Sequence, residues 1–372
     1  MNQRKPSRTV IVVGAGLVGL SCAWWLQRRG HQVLLVDSPD AEGGSVAALG
    51  VLMGHVFHRT SGRGMRLRQQ SLTLWQAWRQ ELAGRGRPIA WREGLLLLAA
   101  DGEEAQRLHW LQAKRHQQGI GLEWWRPEQL AALTPAPPGP AAGALHSPMD
   151  GQLDPRQAMD ALHSDGSARG LTTRTERVAT VEHRIARGGG WRVVLASGMR
   201  LEAEWLVLSA GVNSETLLSP LQDQWAGVEK RQLEPVLGQA LELELTPPVA
   251  AEGWNWPGAL VWQGMNLVPR PDLPGGRRFW LGATLEPGRT SDPQAMAALR
   301  TLGGSAPTWL GEARELRRWH GLRGRPVGRP APLLEQLAPG LLLATGHYRN
   351  GVLLAPATAQ WVAEQVEAGQ NS

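Results

Sequence analysis

The stretch that most constrains this chain is Thr9–Asp37, TVIVVGAGLVGLSCAWWLQRRGHQVLLVD. Thr9–Val13 is a β-branched apolar run of the kind that forms a buried strand. Gly14, Gly16 and Gly19 follow at G-x-G-x-x-G spacing and open a helix. The first glycine permits a tight turn, the second lets backbone approach a pyrophosphate, and the third lets the helix pack on its strand. The helix N-terminus offers free N–H groups and the positive end of a dipole to phosphate. Gln32–Val36 is a second strand. Asp37 closes it 18 residues past Gly19, near the roughly 20-residue spacing of a carboxylate that accepts ribose hydroxyls. Strand, turn, helix, strand and acid together predict a dinucleotide-binding βαβ unit, and the acid disfavours a 2′-phosphate.

The 372 residues leave room for two domains, or for one carrying an insertion. Forty-two per cent apolar residues with 45 Gly and 26 Pro fit a loop-rich globular enzyme rather than a disordered chain. The formal charge of +6 is not a nucleic-acid signal. Lysine occurs only at Lys5, Lys114 and Lys230, so 36 of the 39 basic residues are arginine, spread along the chain. The nearest cluster, Arg59, Arg63, Arg66 and Arg68, shares a helical stretch with Leu67, Leu72, Leu74 and Trp75, and a binding face needs basic residues gathered on one side. Cys22 is the single cysteine, which excludes a disulfide within the chain and a Cys-based metal site; no metal is expected. No run approaches the roughly 18 apolar residues of a membrane span. The opening MNQRKPSR does not have the form of a signal peptide, so a cytoplasmic location is expected. Eighteen Trp against two Phe and one Tyr are expected mainly in core and edge packing, with a minority suited to a membrane surface.

Beyond Asp37, Ser38–Gly44 reads as a polar loop. Ser45-Val46-Ala47-Ala48-Leu49-Gly50-Val51-Leu52 follows, small residues that allow close backbone approach to a flat ring. Helical spacing predicts helices over Gly64–Leu82 and Glu103–Gln118, with a strand at Gly94–Ala99 between them. Pro135–Pro140 is a candidate boundary, and Asp154 with Pro155 opens a helix to Ser164. Leu171–Glu182 and Trp191–Leu195 read as strands; Glu204–Gly211 is an apolar strand whose small end suits a second wall for the dinucleotide. Val236–Leu245, Ala259–Trp262, Asn266–Pro269 and Arg278–Ala283 are short strands of an antiparallel sheet, followed by a helix at Asp292–Leu302. Near the end, a strand at Leu341–Ala344 runs into Gly346-His347-Tyr348-Arg349-Asn350-Gly351-Val352-Leu353-Leu354-Ala355-Pro356-Ala357-Thr358-Ala359, with a helix at Ala359–Glu367.

That last motif, with Trp319-His320-Gly321-Leu322-Arg323 before it, resembles the glycine oxidases within the FAD-dependent D-amino-acid oxidase and sarcosine oxidase superfamily. The N-terminal βαβ unit, the small-residue run, Leu-Val-Pro-Arg at 267–270 and Leu-Gly-Ala-Thr at 281–284 match in the same order. The resemblance spans nearly the whole chain, loosely over 85–200. It implies an α/β fold: a discontinuous Rossmann-type FAD-binding domain (1–85, 141–220 and 311–372) and a substrate domain with a mainly antiparallel sheet (86–140 and 221–310). It implies non-covalent FAD held by Gly14, Ala15, Gly16, Val18, Gly19, Asp37, Ser38, Ser45, Ala47, Ala48, Leu49, Val178, Gly211 and the turn Gly346, His347, Arg349, Asn350, Gly351, Val352 and Leu353. Backbone N–H groups from about Tyr348 to Leu353 suit the electron-rich pyrimidine end of a flavin. It also implies that Arg323 clamps a substrate carboxylate with Arg349 assisting, beside Tyr348 and Asn266, since a guanidinium binds carboxylate bidentately.

The implied reaction is oxidative deamination of a small amino acid or secondary amine by hydride transfer to flavin N5, with O₂ as acceptor and no side-chain base. Two alternatives stand: a dehydrogenase passing electrons to a quinone or carrier, and a flavin-binding protein without turnover. The sequence also leaves room for a homo-oligomer. Asn266 replaces a family tyrosine, Gly324 a family proline, and Arg325–Pro332 carries extra positive charge; these departures point to a larger or more acidic substrate. With no cysteine in the C-terminal region, sulfur attachment of flavin is excluded there, and His347 and His55 are expected to be structural.

Overall fold

The computed structural model describes residues 7–39, 43–184, 189–223, 230–246 and 254–369. Thr9–Val13 takes the interior of a six-stranded sheet because its alternate side chains feed two cores. Val10 and Val12 join Leu20, Trp24 and Leu35 on one face; Ile11 and Val13 join Val36, Leu206 and Leu208 on the other. The strand order is Leu333–Ala338, Leu341–Thr345, Trp205–Leu208, Thr9–Val13, Gln32–Asp37 and Thr172–Thr175. The pairings are parallel except at the Leu333–Ala338 edge. The helix Leu17–Arg28 makes the first crossover, and the C-terminal helix Gly351–Ala368 packs beside it in the same core. An antiparallel sheet of Val178–His183, Trp191–Leu195 and Arg200–Ala203 supplies Val181, Trp191 and Val193 to the second core.

A larger sheet runs in the order Glu286–Pro287, Leu233–Glu244, Arg278–Gly282, Met265–Arg270, Ala259–Trp262, Trp91–Ala99, Gly143–Leu153 and Val51–Leu52. Arg314–Pro326 pairs antiparallel along Leu233–Glu244. The other pairings are antiparallel too, except Ala259–Trp262 with Trp91–Ala99. The α/β fold with a second, mainly antiparallel sheet is therefore the one observed. Gly143–Leu153 and Arg314–Pro326, grouped above with the nucleotide-binding part, hydrogen-bond within this larger sheet.

The tryptophans act as internal ties. Trp24 and Trp25 of Leu17–Arg28 cluster with Trp75 and Trp78 of the helix Gly62–Gly84, Trp24 and Trp78 meeting edge-on at 4.8 Å. Trp256 and Trp309 cluster with Phe279 and donate their indole N–H groups to the carbonyls of Pro135 and Ala136, at 2.6 and 2.7 Å. The proline-rich connection is thus docked on the larger sheet's core. Trp110, 54% exposed, is the exposed tryptophan among the described residues. Among these residues no helix is long and apolar enough to cross a membrane.

Two elements differ from the sequence expectation. Leu171–Glu182 is not one strand: Thr172–Thr175 pairs with Gln32–Asp37, the chain breaks at Glu176-Arg177, and Val178–His183 enters the small sheet. Glu176 N–H donates to the Asp37 carbonyl at 2.7 Å, which fixes the switch between sheets. The C-terminal helix begins at Gly351 rather than Ala359. Pro356 inside it has no N–H for the Val352 carbonyl four residues earlier. The indole N–H of fully buried Trp75 fills that vacancy at 2.9 Å. Trp75→Phe keeps an aromatic ring of smaller volume and removes the donor. It is expected to orphan a buried carbonyl, cost about 1–3 kcal/mol, and lower the thermal midpoint of the holoprotein in a melting scan.

Candidate active site

Three glycines shape the first turn through what their hydrogens avoid. Gly14 holds φ +103°, and a Cβ there would lie 2.6 Å from the Ser209 carbonyl oxygen. A Cβ on Gly19 would lie 1.9 Å from the Gly14 oxygen, so helix and strand can only meet at this distance without one. Gly16 caps the helix with extended backbone and faces a cavity. Asp37 at the tip of the second strand accepts the Ala15 N–H on Oδ1 at 3.0 Å. Ser45 Oγ accepts the Leu17 N–H at 2.9 Å, laying the small-residue run across the helix N-terminus.

The cavity, about 1400 Å³, extends from Asp37, Ser38 and Val178 past Gly16, Val18, Ser45, Ala47, Ala48 and Leu49 to Asn266, Arg323 and the C-terminal turn. One wall is close-packed because glycines and alanines interlock: a Cβ on Gly321 would sit 2.5 Å from the Ala47 Cβ, and one on Gly44 2.7 Å from the Leu322 oxygen. Trp319 Nε1 donates to the Ala47 carbonyl at 3.1 Å and holds that seam. Gly211, at φ +58°, closes the opposite wall at the end of the Trp205–Leu208 strand.

At the far end Gly346 (φ +65°) and Tyr348 (φ +54°) turn the chain so that Tyr348–Val352 edges the cavity at the start of the helix. Asn350 is fixed by Arg68 Nη1, which donates to its Oδ1 at 2.8 Å. Arg68 in turn lies over the Phe57 ring at 3.6 Å, and burial brings its pKa down to about 10. Sequence reasoning gave Arg68 no role here, because its partner lies 282 positions away. His347 lines the cavity, yet its ring is enclosed: Nε2 meets Thr358 Oγ1 at 2.8 Å, and burial, with a smaller push from Arg63, lowers its pKa to about 3.

Arg323 comes from the long strand Arg314–Pro326, opposite Val236. Its guanidinium lies on Gly238, where a Cβ would be 2.2 Å from both terminal nitrogens. Nη1 donates to the carbonyls of Thr284 at 3.1 Å and Leu237 at 3.5 Å. Among the described residues no carboxylate lies within ion-pair distance of it. Burial, then the nearby Arg349 charge, lowers its pKa to about 10, which leaves it cationic at neutral pH. Arg349 is exposed on the rim and donates from Nη2 to the Gly264 carbonyl at 2.9 Å, likewise without a carboxylate partner among the described residues. Asn266 donates Nδ2 to the Gly282 carbonyl at 3.1 Å.

The cavity therefore gathers most of the residues singled out from sequence. Ala15, Gly19 and Leu353 do not line it: Ala15 acts through its N–H on Asp37, Gly19 through helix packing, and Leu353 is buried in the helix core. Arg177 and Gly238, unnoticed in sequence, do line it; Gly238 is placed by the pairing with Arg314–Pro326, and Arg177 by the break between Thr172–Thr175 and Val178–His183, neither of which has a local signature. The extra charge at 325–332 is neutralised rather than aimed at the site. Arg325 pairs with Glu234, and Arg329 with Glu335 at 3.4 Å. Gly324 packs on Val212, where a Cβ would approach 3.3 Å. The wall at Val56 and Phe57 is pinned from both sides. Asp150 accepts N–H groups from Gly54, His55 and Val56, and Arg115 donates to the carbonyls of His55, Phe57 and Arg59. His55 is held in this loop, 6% exposed.

An elongated cleft with a glycine turn and an acid at one end, a small-residue middle and a helix N-terminus at the other has the form of a site for a dinucleotide with a flat second ring. This arrangement defines an oxidoreductase of the two-part, Rossmann-type class. Residues 9–365 match the DAO family of FAD-dependent oxidoreductases, and the chain belongs to that family, with FAD as cofactor. It is 29% identical over 377 aligned residues to a glycine oxidase of Geobacillus kaustophilus strain HTA426, covering 98% of this chain and 94% of that one. It is also 29% identical to a glycine oxidase of Pseudomonas aeruginosa, covering 96% and 94% of the two chains. The crystal structure of glycine oxidase from Geobacillus kaustophilus superposes with a TM-score of 0.83 at 26% identity, over 97% of this chain and 95% of that one.

The enclosed His347 has a pH consequence. Its folded pKa of about 3 lies below the ordinary value of 6.5, so the unfolded chain takes up a proton that the folded one refuses. The contribution of this group is present above about pH 6.5 and is lost as pH drops from there toward 3. His347→Asn is expected to lose less thermal stability than the parent between pH 7 and pH 5, measured by differential scanning fluorimetry.

Proposed function

We propose that the protein binds FAD non-covalently along this cavity and oxidatively deaminates a small amino acid or secondary amine, of the glycine, D-amino-acid or N-methylglycine type, with O₂ as electron acceptor. The observation that carries the reading is the Arg323 guanidinium: deep, facing the cavity, hydrogen-bonded only to carbonyls, and without a carboxylate of its own. A cation placed so has fork donors left for an anion, and a planar carboxylate fits them bidentately.

In this reading Gly14, Gly16, Ser45 and the start of Leu17–Arg28 hold the pyrophosphate, and Asp37 takes the ribose. Val178 lies at the adenine end, and the turn from Gly346 to Val352 presents N–H groups to the pyrimidine edge. When bound, the flavin supplies a two-electron acceptor for the hydride leaving the substrate Cα. Arg323 fixes the carboxylate and therefore the direction of the Cα–H bond; Arg349 adds a second cation at the rim; the Asn266 amide and Tyr348 border the same space. Orientation carries the rate, because the amine enters neutral and needs no side-chain base. Loss of hydride and an amine proton leaves an imine, which water hydrolyses to an oxo acid and ammonia or an amine. The cavity wall has no cysteine, and the His347 ring is turned toward Thr358, in keeping with a flavin that is held but not bonded.

Anaerobic addition of glycine, sarcosine, D-alanine or D-glutamate is expected to bleach the yellow holoprotein with at least one of them, and admitted air should restore the colour rapidly. A protein that none of these bleaches overturns the proposal, and slow recovery in air overturns the choice of O₂. Arg323→Ala should retain its flavin yet raise KM about 100-fold or more, as expected for an unpaired partner of a buried charge contact. Normal KM in that variant removes the clamp assignment.

A further inference from the structure

Glu286 is a buried carboxylate, 5% exposed, with no cation within ion-pair distance among the described residues. Burying such a charge beside neutral donors alone is costly, and two of its donors, Gln239 and Thr284, belong to the frame that holds Arg323. Gln239 Nε2 donates to both carboxylate oxygens, at 3.0 and 3.2 Å; the Thr284 hydroxyl donates to Oε1 and the Asp292 N–H to Oε2. The polarity of the threonine is fixed. Its Oγ1 accepts the Gln239 N–H at 2.7 Å, so its own proton is left for Glu286. Thr284 N–H returns to the Gln239 carbonyl at 3.1 Å. The same Thr284 offers its carbonyl to Arg323 Nη1 at 3.1 Å, and Gln239 adjoins the Gly238 on which the guanidinium lies.

We propose that Glu286 is a positioning residue that, through Thr284 and Gln239, holds the Arg323 fork facing the cavity and compensates its charge from behind. The inference rests on the reading of Arg323 as the carboxylate clamp. A carboxylate in direct contact with Arg323 would consume the fork. One set back behind Thr284 stabilises the cation and leaves Nε and Nη2 without protein partners among the described residues. The charged and titratable groups around the guanidinium are Arg349, which opposes its protonation, and Tyr348 and Glu286, which favour it.

The test uses oxidised holoprotein titrated with acetate and read by perturbation of the flavin absorbance, which needs no turnover. Glu286→Gln is expected to weaken acetate about tenfold, in line with a lost charge acting on a fixed contact, and to raise substrate KM by a similar factor with kcat nearly unchanged. The alkaline loss of acetate binding, set near pH 10 by Arg323 in the parent, should begin at lower pH, because the cation has lost its favourable field. Thr284→Val, which removes the hydroxyl and keeps the carbonyl, should weaken acetate about three- to tenfold and serves where Glu286→Gln fails to accumulate. Unchanged acetate affinity and pH profile in Glu286→Gln, or unchanged affinity in Thr284→Val, overturn the proposal. If Arg323→Ala still weakens acetate in that case, the clamp stands and only the role of Glu286 falls. If Arg323→Ala leaves acetate unchanged as well, both readings fall.

Discussion

Everything in this fold depends on the two ends of the chain sharing one core. Leu17–Arg28 and Gly351–Ala368 pack in that core, to which the first gives Leu20, Ala23 and Trp24 and the second Leu354, Ala359 and Val362. Each follows a parallel strand of the same sheet, Thr9–Val13 and Leu341–Thr345, so both helix N-termini lie at one edge of it. One N-terminus carries the Gly14–Gly19 turn and the other the Gly346–Gly351 turn. Both turns line the cavity, so the candidate site depends on how the two helices are set on the sheet.

The legible parts of the sequence were those whose signal is local. The N-terminal βαβ unit is read within 29 residues because glycine spacing, strand pattern and terminal acid sit together. The C-terminal turn is legible through a motif, while the first turns of its helix are not, since a proline at 356 disfavours helix there and the indole N–H that replaces its missing bond belongs to Trp75, on a distant segment. Arg314–Pro326 was invisible as a strand: RELRRWHGLRGRP has little apolar alternation. Its pairing with Leu233–Glu244 is bridged by charge, with Arg317 3.2 Å from Glu242 and Arg314 paired to Glu244. Arg323 could be singled out, but not the Gly238 beneath it. Cross-strand register is a property of two segments, and neither announces it alone.

The arginine excess resolves into structural work. Arg115 is fully buried and donates to three loop carbonyls, Arg270 bridges Asp154 and Asp272 at 2.6 Å, and Arg231 joins Glu335 at 2.7 Å. A guanidinium can satisfy several acceptors at once, which suits it to loops rich in unpaired carbonyls. Against this background Arg323 and Arg349 stand apart: each faces the cavity, rests on backbone carbonyls and keeps donors in reserve.

The opposed grip of Asp150 and Arg115 on the Gly54–Arg59 loop bears on the wall of the cleft. Three amides of the segment are committed to one carboxylate and three carbonyls to one guanidinium, and each such bond must be broken or replaced before the backbone there can shift. The stretch that carries Val56 and Phe57 is a braced panel, its outline set by two side chains that do not themselves border the space.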